Sequence, residues 1–154
     1  TRFYMPIGFF ISYVIASQKL MIVPGADLFI FGVLSSCVHM AWMRAVCGRL
    51  EMRYSYSNKI VYNNFPIPEV SEGDKQPIIN FASKVLGVRK QSPDRSLADL
   101  YDSITMPPNL IDAHKKLDTA VMKLYEFSKD MSEQEIVLSL VEMYEKRLRE
   151  IDEG

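Results

Sequence analysis

The sequence predicts an α+β fold, a small β/α segment over residues 1–68 followed by a helical C-terminal domain over residues 69–154. Three observations predict it. Residues 51–57 alternate strictly, with Glu51, Arg53, Ser55 and Ser57 on one side and Met52, Tyr54 and Tyr56 on the other. That is the period of a strand with one wet and one packed face. Residues 27–47 instead carry apolar side chains at helical spacing. Beyond Pro66 and Pro68 the β-formers thin out, and capping signals open one helical pattern after another.

Residues 3–24 mix aromatic and β-branched side chains, punctuated by Pro6, Gly8, Pro24 and Gly25, which predicts short strands. Asp27 stands where an N-cap belongs for a helix running to about Cys47. Leu28, Phe31, Leu34, Val38, Trp42 and Ala45 form its apolar face, and Gly48 is its expected stop. The alternating strand follows. Ser71 and Asp74 have capping spacing before a helix bearing Ile78, Ile79, Ala82, Val85 and Leu86. Ser96 and Asp99 repeat that spacing before a short helical turn. Pro107 and Pro108 open a longer helix with Leu110, Ala113, Leu117, Val121 and Leu124 on one face. Ser132 and Glu135 box the last helix, whose stripe is Ile136, Leu140, Tyr144, Leu148 and Ile151. Opening at Thr1 within strand-like sequence, the chain reads as a piece of a longer polypeptide. Strand edges left unpaired in this way are expected to favour a dimer.

The hydrophobic share of 48% and charged share of 24% are those of a folded chain rather than a disordered one. Charge is unevenly divided. Residues 1–65 carry six Lys/Arg against two Asp/Glu, and the remainder carries twelve against seventeen. A basic first part suits a polyanionic partner. Two cysteines without metal-ligand neighbours predict reduced thiols and a cytoplasmic setting. Two apolar stretches invite a membrane reading. Residues 3–16 are interrupted by Pro6 and Gly8, and residues 26–47 by Asp27, Ser35, Ser36, His39 and Arg44, so a buried helix and no membrane contact are expected.

Chemistry-bearing motifs are sparse. The sequence holds no glycine-rich nucleotide loop, no zinc-protease motif and no metal-ligand cluster, so no catalytic, cofactor-binding or metal residue is assigned. His39 reads as a satisfied core residue and His114, beside Lys115 and Lys116, as part of a solvated helix face. The candidate site is the strand face Glu51, Arg53, Ser55 and Ser57. Side chains two apart on a strand project together at about 7 Å, within reach of neighbouring base pairs. Arg offers two hydrogen bonds to guanine, and Glu accepts from the cytosine amino group. An exposed Glu–Arg ion pair is the alternative use of the same residues. Lys19, Arg49 and Lys59 are the natural phosphate neutralisers, with Arg2 and Arg44 as further candidates. Tyr54 and Tyr56 read as core-facing.

The runs VLSSCVHMAWMRAVCGRLEMRYSYSNKIVYNNFPIPEV and SLADLYDSITMPPNLIDAHKKLDTAVMKLYEF lie within residues 20–127 and resemble the C-terminal part of MmeI-like DNA methyltransferases. Many of those enzymes carry a nuclease in the same chain. The resemblance implies the end of a target recognition domain near Pro68, followed by the family's helical C-terminal domain. It implies double-stranded DNA as partner, and an upstream methyltransferase domain that transfers a methyl group from S-adenosylmethionine to adenine N6. It places specificity at Glu51, Arg53 and Ser55, with a second determinant around residues 17–19. Ser55 departs from the Arg that some relatives carry there. A protein-interaction module is the rival reading; it predicts no salt-sensitive DNA affinity.

Overall fold

Ser35 and Ser36 divide the long apolar helix that the sequence predicts. In the computed structural model, which describes residues 2–10, 20–50 and 53–153, two helices stand in its place: α1 (Leu28–Leu34) and α2 (Cys37–Val46). Asp27 caps α1 by accepting from the Ile30 N–H at 2.8 Å. The Ser36 hydroxyl donates to the Val33 carbonyl at 2.7 Å and accepts from the His39 N–H at 3.4 Å. One hydroxyl thus closes α1 and opens α2, competing with the backbone ladder that would have joined them. The two axes meet at 57°. Among the described residues no single helix is long and apolar enough to cross a membrane.

The α+β expectation is overturned. The structure is helical, and β structure among the described residues is limited to an antiparallel ribbon of β1 (Gly48–Leu50) and β2 (Arg53–Ser55). Cys47, not Gly48, is the C-cap of α2, and Gly48 begins β1. The alternation over residues 51–57 gives a strand only at 53–55, because Ser57 starts a π-helical turn, Asn58–Tyr62. No strand forms at residues 2–10 or 20–24. Arginine side chains hold the first of these segments instead. Arg44 donates to the Arg2 carbonyl at 3.2 Å, and Arg89 donates to the Ile7 carbonyl at 2.6 Å. Backbone acceptors that a neighbouring strand would satisfy are satisfied by guanidinium groups. The unpaired strand edges on which a dimer was expected are therefore not found in these segments.

From residue 69 onward the helices form where the capping signals predict them. α3 (Glu72–Arg89) and the short α4 (Leu97–Leu100) begin at Ser71 and Ser96, whose hydroxyls accept from Asp74 and Asp99 N–H groups. α5 (Pro108–Leu124) starts on Pro108, whose missing N–H costs nothing at a first turn. α6 (Glu133–Asp152) opens with a complete capping box between Ser132 and Glu135. α3 packs on α1 and α5, and α2 packs on α6. Val33, Val38, Ile78, Val85, Leu110, Leu117, Val121 and Leu140 are fully buried in one core that draws on the chain both before and after residue 68. The stripe of α6 outruns this core: Ile136 and Leu140 are buried, but Leu148 and Ile151 are exposed.

His114 also departs from expectation. It is buried, not solvated. Its ring stacks on Tyr4 and its Nε2 lies 2.7 Å from the Tyr101 hydroxyl, which in turn accepts from Arg89. Four residues on, Asp118 accepts from the Tyr4 hydroxyl at 2.6 Å and from the Cys37 N–H at 2.7 Å. Adjacent turns of α5 thus present a buried histidine and a half-buried aspartate that tie down the chain's first segment and the start of α2. The flanking lysines that suggested a wet face point elsewhere on the helix, 100° of turn per residue away.

Candidate nucleic-acid interface

The ribbon holds the centre of the candidate site. Gly48 pairs with Ser55, Arg49 with Tyr54, and Leu50 with Arg53. Residues 51 and 52 fall between the two arms in the sequence. Glu51 is one of them and, like Lys19, lies outside the described residues, as do the side chains of Arg49, Arg53 and Ser55. Arg49 and Arg53 hold register positions of opposite parity, since one pairs with Tyr54 and the other with Leu50.

What fixes the ribbon is visible at its base. α2 feeds β1 directly and is anchored by buried Val38, His39, Met40, Ala41 and Trp42. His39 Nε2 and the Tyr56 hydroxyl share a hydrogen bond at 3.0 Å, gripping the chain one residue after β2 ends. One turn along α2, the Trp42 indole N–H donates to the Val61 carbonyl at 3.0 Å. Residues three apart on a helix share a face, so one side of α2 seizes the departing chain twice. Phe65 closes the cluster, its ring edge-on to His39 at 4.6 Å and tilted against Trp42 at 6.3 Å. Burial holds His39 down at about 3, so the ring is neutral near neutral pH. His39 is a core residue as expected, and Tyr56 is half-buried against the same core. The role of His39 and Trp42 as anchors was not read from the sequence. Its only trace there is a polar ring and an indole three apart on an otherwise apolar face.

Beyond Tyr56 the chain turns sharply. Ser57 caps the π-helical turn through a 3.4 Å bond from the Ile60 N–H. The Asn58 side chain accepts from the Lys59 N–H at 2.9 Å, and the Asn64 amide donates to the Lys59 and Ile60 carbonyls. Side chains thus supply partners for a turn that its own backbone satisfies incompletely. Lys59 and Ile60 are exposed at its apex while Val61 is buried beneath them. Of the further cationic candidates, Arg44 pairs with Glu133 at 2.7 Å and also donates to the Arg2 carbonyl, and Arg2 reaches the Ala98 carbonyl. Both have structural partners, which leaves Lys59 as the described cation presented by the ribbon's own base.

Comparison with known proteins gives two family matches along the chain. Residues 1–69 match the family described as MmeI, target recognition domain, and residues 70–151 match MmeI, C-terminal domain. The chain is 37% identical over 145 residues to DNA methyltransferase A of Bacillus subtilis (strain 168), a match covering 94% of this chain and 16% of that protein. It is also similar to the solved structure of the Type IIL restriction–modification enzyme MmeI in complex with DNA. That match has 44% identity and a TM-score of 0.78, and covers 82% of this chain and 17% of the solved one. The chain spans 16% and 17% of the lengths of these two relatives.

Proposed function

The chain belongs to the MmeI family, and from that premise we propose that it selects the DNA site for an enzyme that methylates adenine N6. The observation that carries this reading is the anchored ribbon. A two-stranded ribbon is one of the few elements that the major groove admits, and here α2 holds one from below through Tyr56 and Val61.

In the proposed mechanism the ribbon enters the major groove of double-stranded DNA. Arg53 donates two hydrogen bonds to guanine N7 and O6, and Glu51 accepts from a cytosine amino group on a neighbouring pair. Ser55 contributes at the next position of the same strand. Lys59, Arg49 and Lys19 neutralise phosphates and fix the docking angle, with Ser57 aiming Lys59 through its cap on the π-helical turn. The catalytic part of the enzyme then extrudes the target adenine from the stack. The helical portion braces the recognition part against an upstream methyltransferase domain, in a bacterial cytoplasm.

S-adenosylmethionine is the methyl donor in this reading, which places its site in another part of the enzyme. A cavity of about 390 Å³ is lined by Phe3, Met40, Asp118 and Met122 among others. Its carboxylates serve the fold, Asp118 through Tyr4 and Cys37 and Glu133 through Arg44.

The test is to express the full-length protein and map methylated adenines in host DNA. One recurring asymmetric motif is expected. Methylation scattered without a motif, or sequence-indifferent DNA binding by the purified protein, would overturn the site-selection reading.

A further inference from the structure

The ribbon is short enough for its register to be a problem. Each arm has three residues, giving three Cα pairs, and no third strand joins them among the described residues. An isolated two-stranded ribbon is marginal in water. A slip of one residue turns every side chain onto the opposite face. For a ribbon that reads bases, such a slip would exchange the residues offered to the groove.

Something at the base must reject the slipped arrangement. The Trp42–Val61 bond is not selective, because any residue at 61 offers a carbonyl. Tyr56 is different: its own hydroxyl makes the contact, one residue beyond β2. Slipping the strand moves that hydroxyl by about 3.3 Å, the rise of one residue, which takes it out of hydrogen-bond reach. His39 is in no position to follow. It is fully buried, its ring is set edge-on against Phe65, and its backbone N–H is held by the Ser36 hydroxyl. Among the described residues the other ring nitrogen, Nδ1, has no partner, so Tyr56 is the described side chain that satisfies the imidazole. Losing the contact leaves a buried polar ring with no hydrogen bond among the described residues.

We propose that the His39–Tyr56 hydrogen bond is a latch that sets the register of the ribbon, making both residues positioning residues for base discrimination. The inference rests on the site-selection reading above. Neither residue touches DNA in it; both act through Arg53 and its neighbours.

The test uses the full-length protein and its mapped motif. Binding is measured to the cognate duplex, to duplexes altered at each single position, and to mixed-sequence DNA. Tyr56→Phe, which removes only the hydroxyl, is expected to lose about tenfold discrimination at one or more positions, the order of one bidentate base contact. Affinity for mixed-sequence DNA is expected to change by less than about twofold, since phosphate contacts carry it. His39→Leu is expected to reproduce that loss, and the double variant to lose no more than either alone. A Tyr56→Phe protein that discriminates as the wild type does, or weakens equally on every duplex, overturns the latch. So do additive losses in the double variant. If the wild type itself prefers no sequence, the site-selection reading fails and the latch falls with it.

Discussion

Tyr4 lays its ring on His114 with centroids 4.1 Å apart and planes 22° from parallel. The contact joins a residue near the start of the chain to the middle of α5 and shuts the imidazole away from water. Burial, reinforced by the Arg89 charge, lowers His114 to about 3, and burial lowers His39 equally far.

Both histidines therefore make stability depend on pH. Their folded values lie below the unfolded value of about 6.5, so the unfolded chain takes up the protons first. Their contribution is complete above about pH 6.5 and is lost as pH falls from there toward 3, at up to about 1.4 kcal/mol per pH unit for each. Asp118 works the other way. Burial raises it, so its cost to the fold is relieved as pH falls. Urea unfolding midpoints should drop clearly between pH 7 and pH 5; equal midpoints at the two values would refute this account.

Tyr101→Phe should destabilise the protein. The hydroxyl accepts from Arg89 Nε at 2.7 Å and meets His114 Nε2 at 2.7 Å, with all three residues buried. Removing it strips a buried guanidinium and a buried imidazole of a shared partner, a loss of about 1–3 kcal/mol. The Arg89 bond to the Ile7 carbonyl survives, so the fold should persist with a lower midpoint. A change below about 0.5 kcal/mol in chemical denaturation would show that the network contributes little.

Gly32→Ala sets two effects against each other. Alanine gains about 1 kcal/mol over glycine within a helix. Here the added Cβ would meet Ile78 Cγ2 at 2.6 Å, with Ala82 and Leu117 close behind, where α1 crosses α3 and α5. Overpacking at a fixed crossing costs about 1–3 kcal/mol, so the sign should be destabilising. Ile78→Ala made in the same chain should cost less than it does alone, and strict additivity of the two would remove the steric explanation.

Arg53→Ala and Lys59→Ala should separate base reading from phosphate contact. The first should relax one base position of the methylated motif, at about 1–3 kcal/mol of discrimination. The second should weaken binding on every duplex alike and flatten the log affinity against log salt slope by about one. An unchanged motif with Arg53→Ala, or a sequence-confined effect of Lys59→Ala, would refute the respective assignment.

Much of this protein was legible in the chain alone. The starts of α3, α4, α5 and α6 were read from Ser71, Ser96, Pro108 and Ser132, because capping is chemistry between residues two or three apart. The two quoted runs pointed to the family for a related reason: long stretches of specific residues carry more information than any single motif. What needed tertiary structure was each choice settled by distant partners. Residues 3–10 have the composition of a strand, yet Arg44 and Arg89 satisfy the Phe3 and Ile7 carbonyls from elsewhere in the chain. The apolar period over residues 27–47 runs on through Ser35 and Ser36, but the hydroxyl of Ser36 ends one helix and starts another. His114 looks solvated beside two lysines until Tyr4 and Tyr101 are brought against it. The grip of His39 on Tyr56 spans 17 positions, a separation at which no local periodicity operates, so only packing decided it.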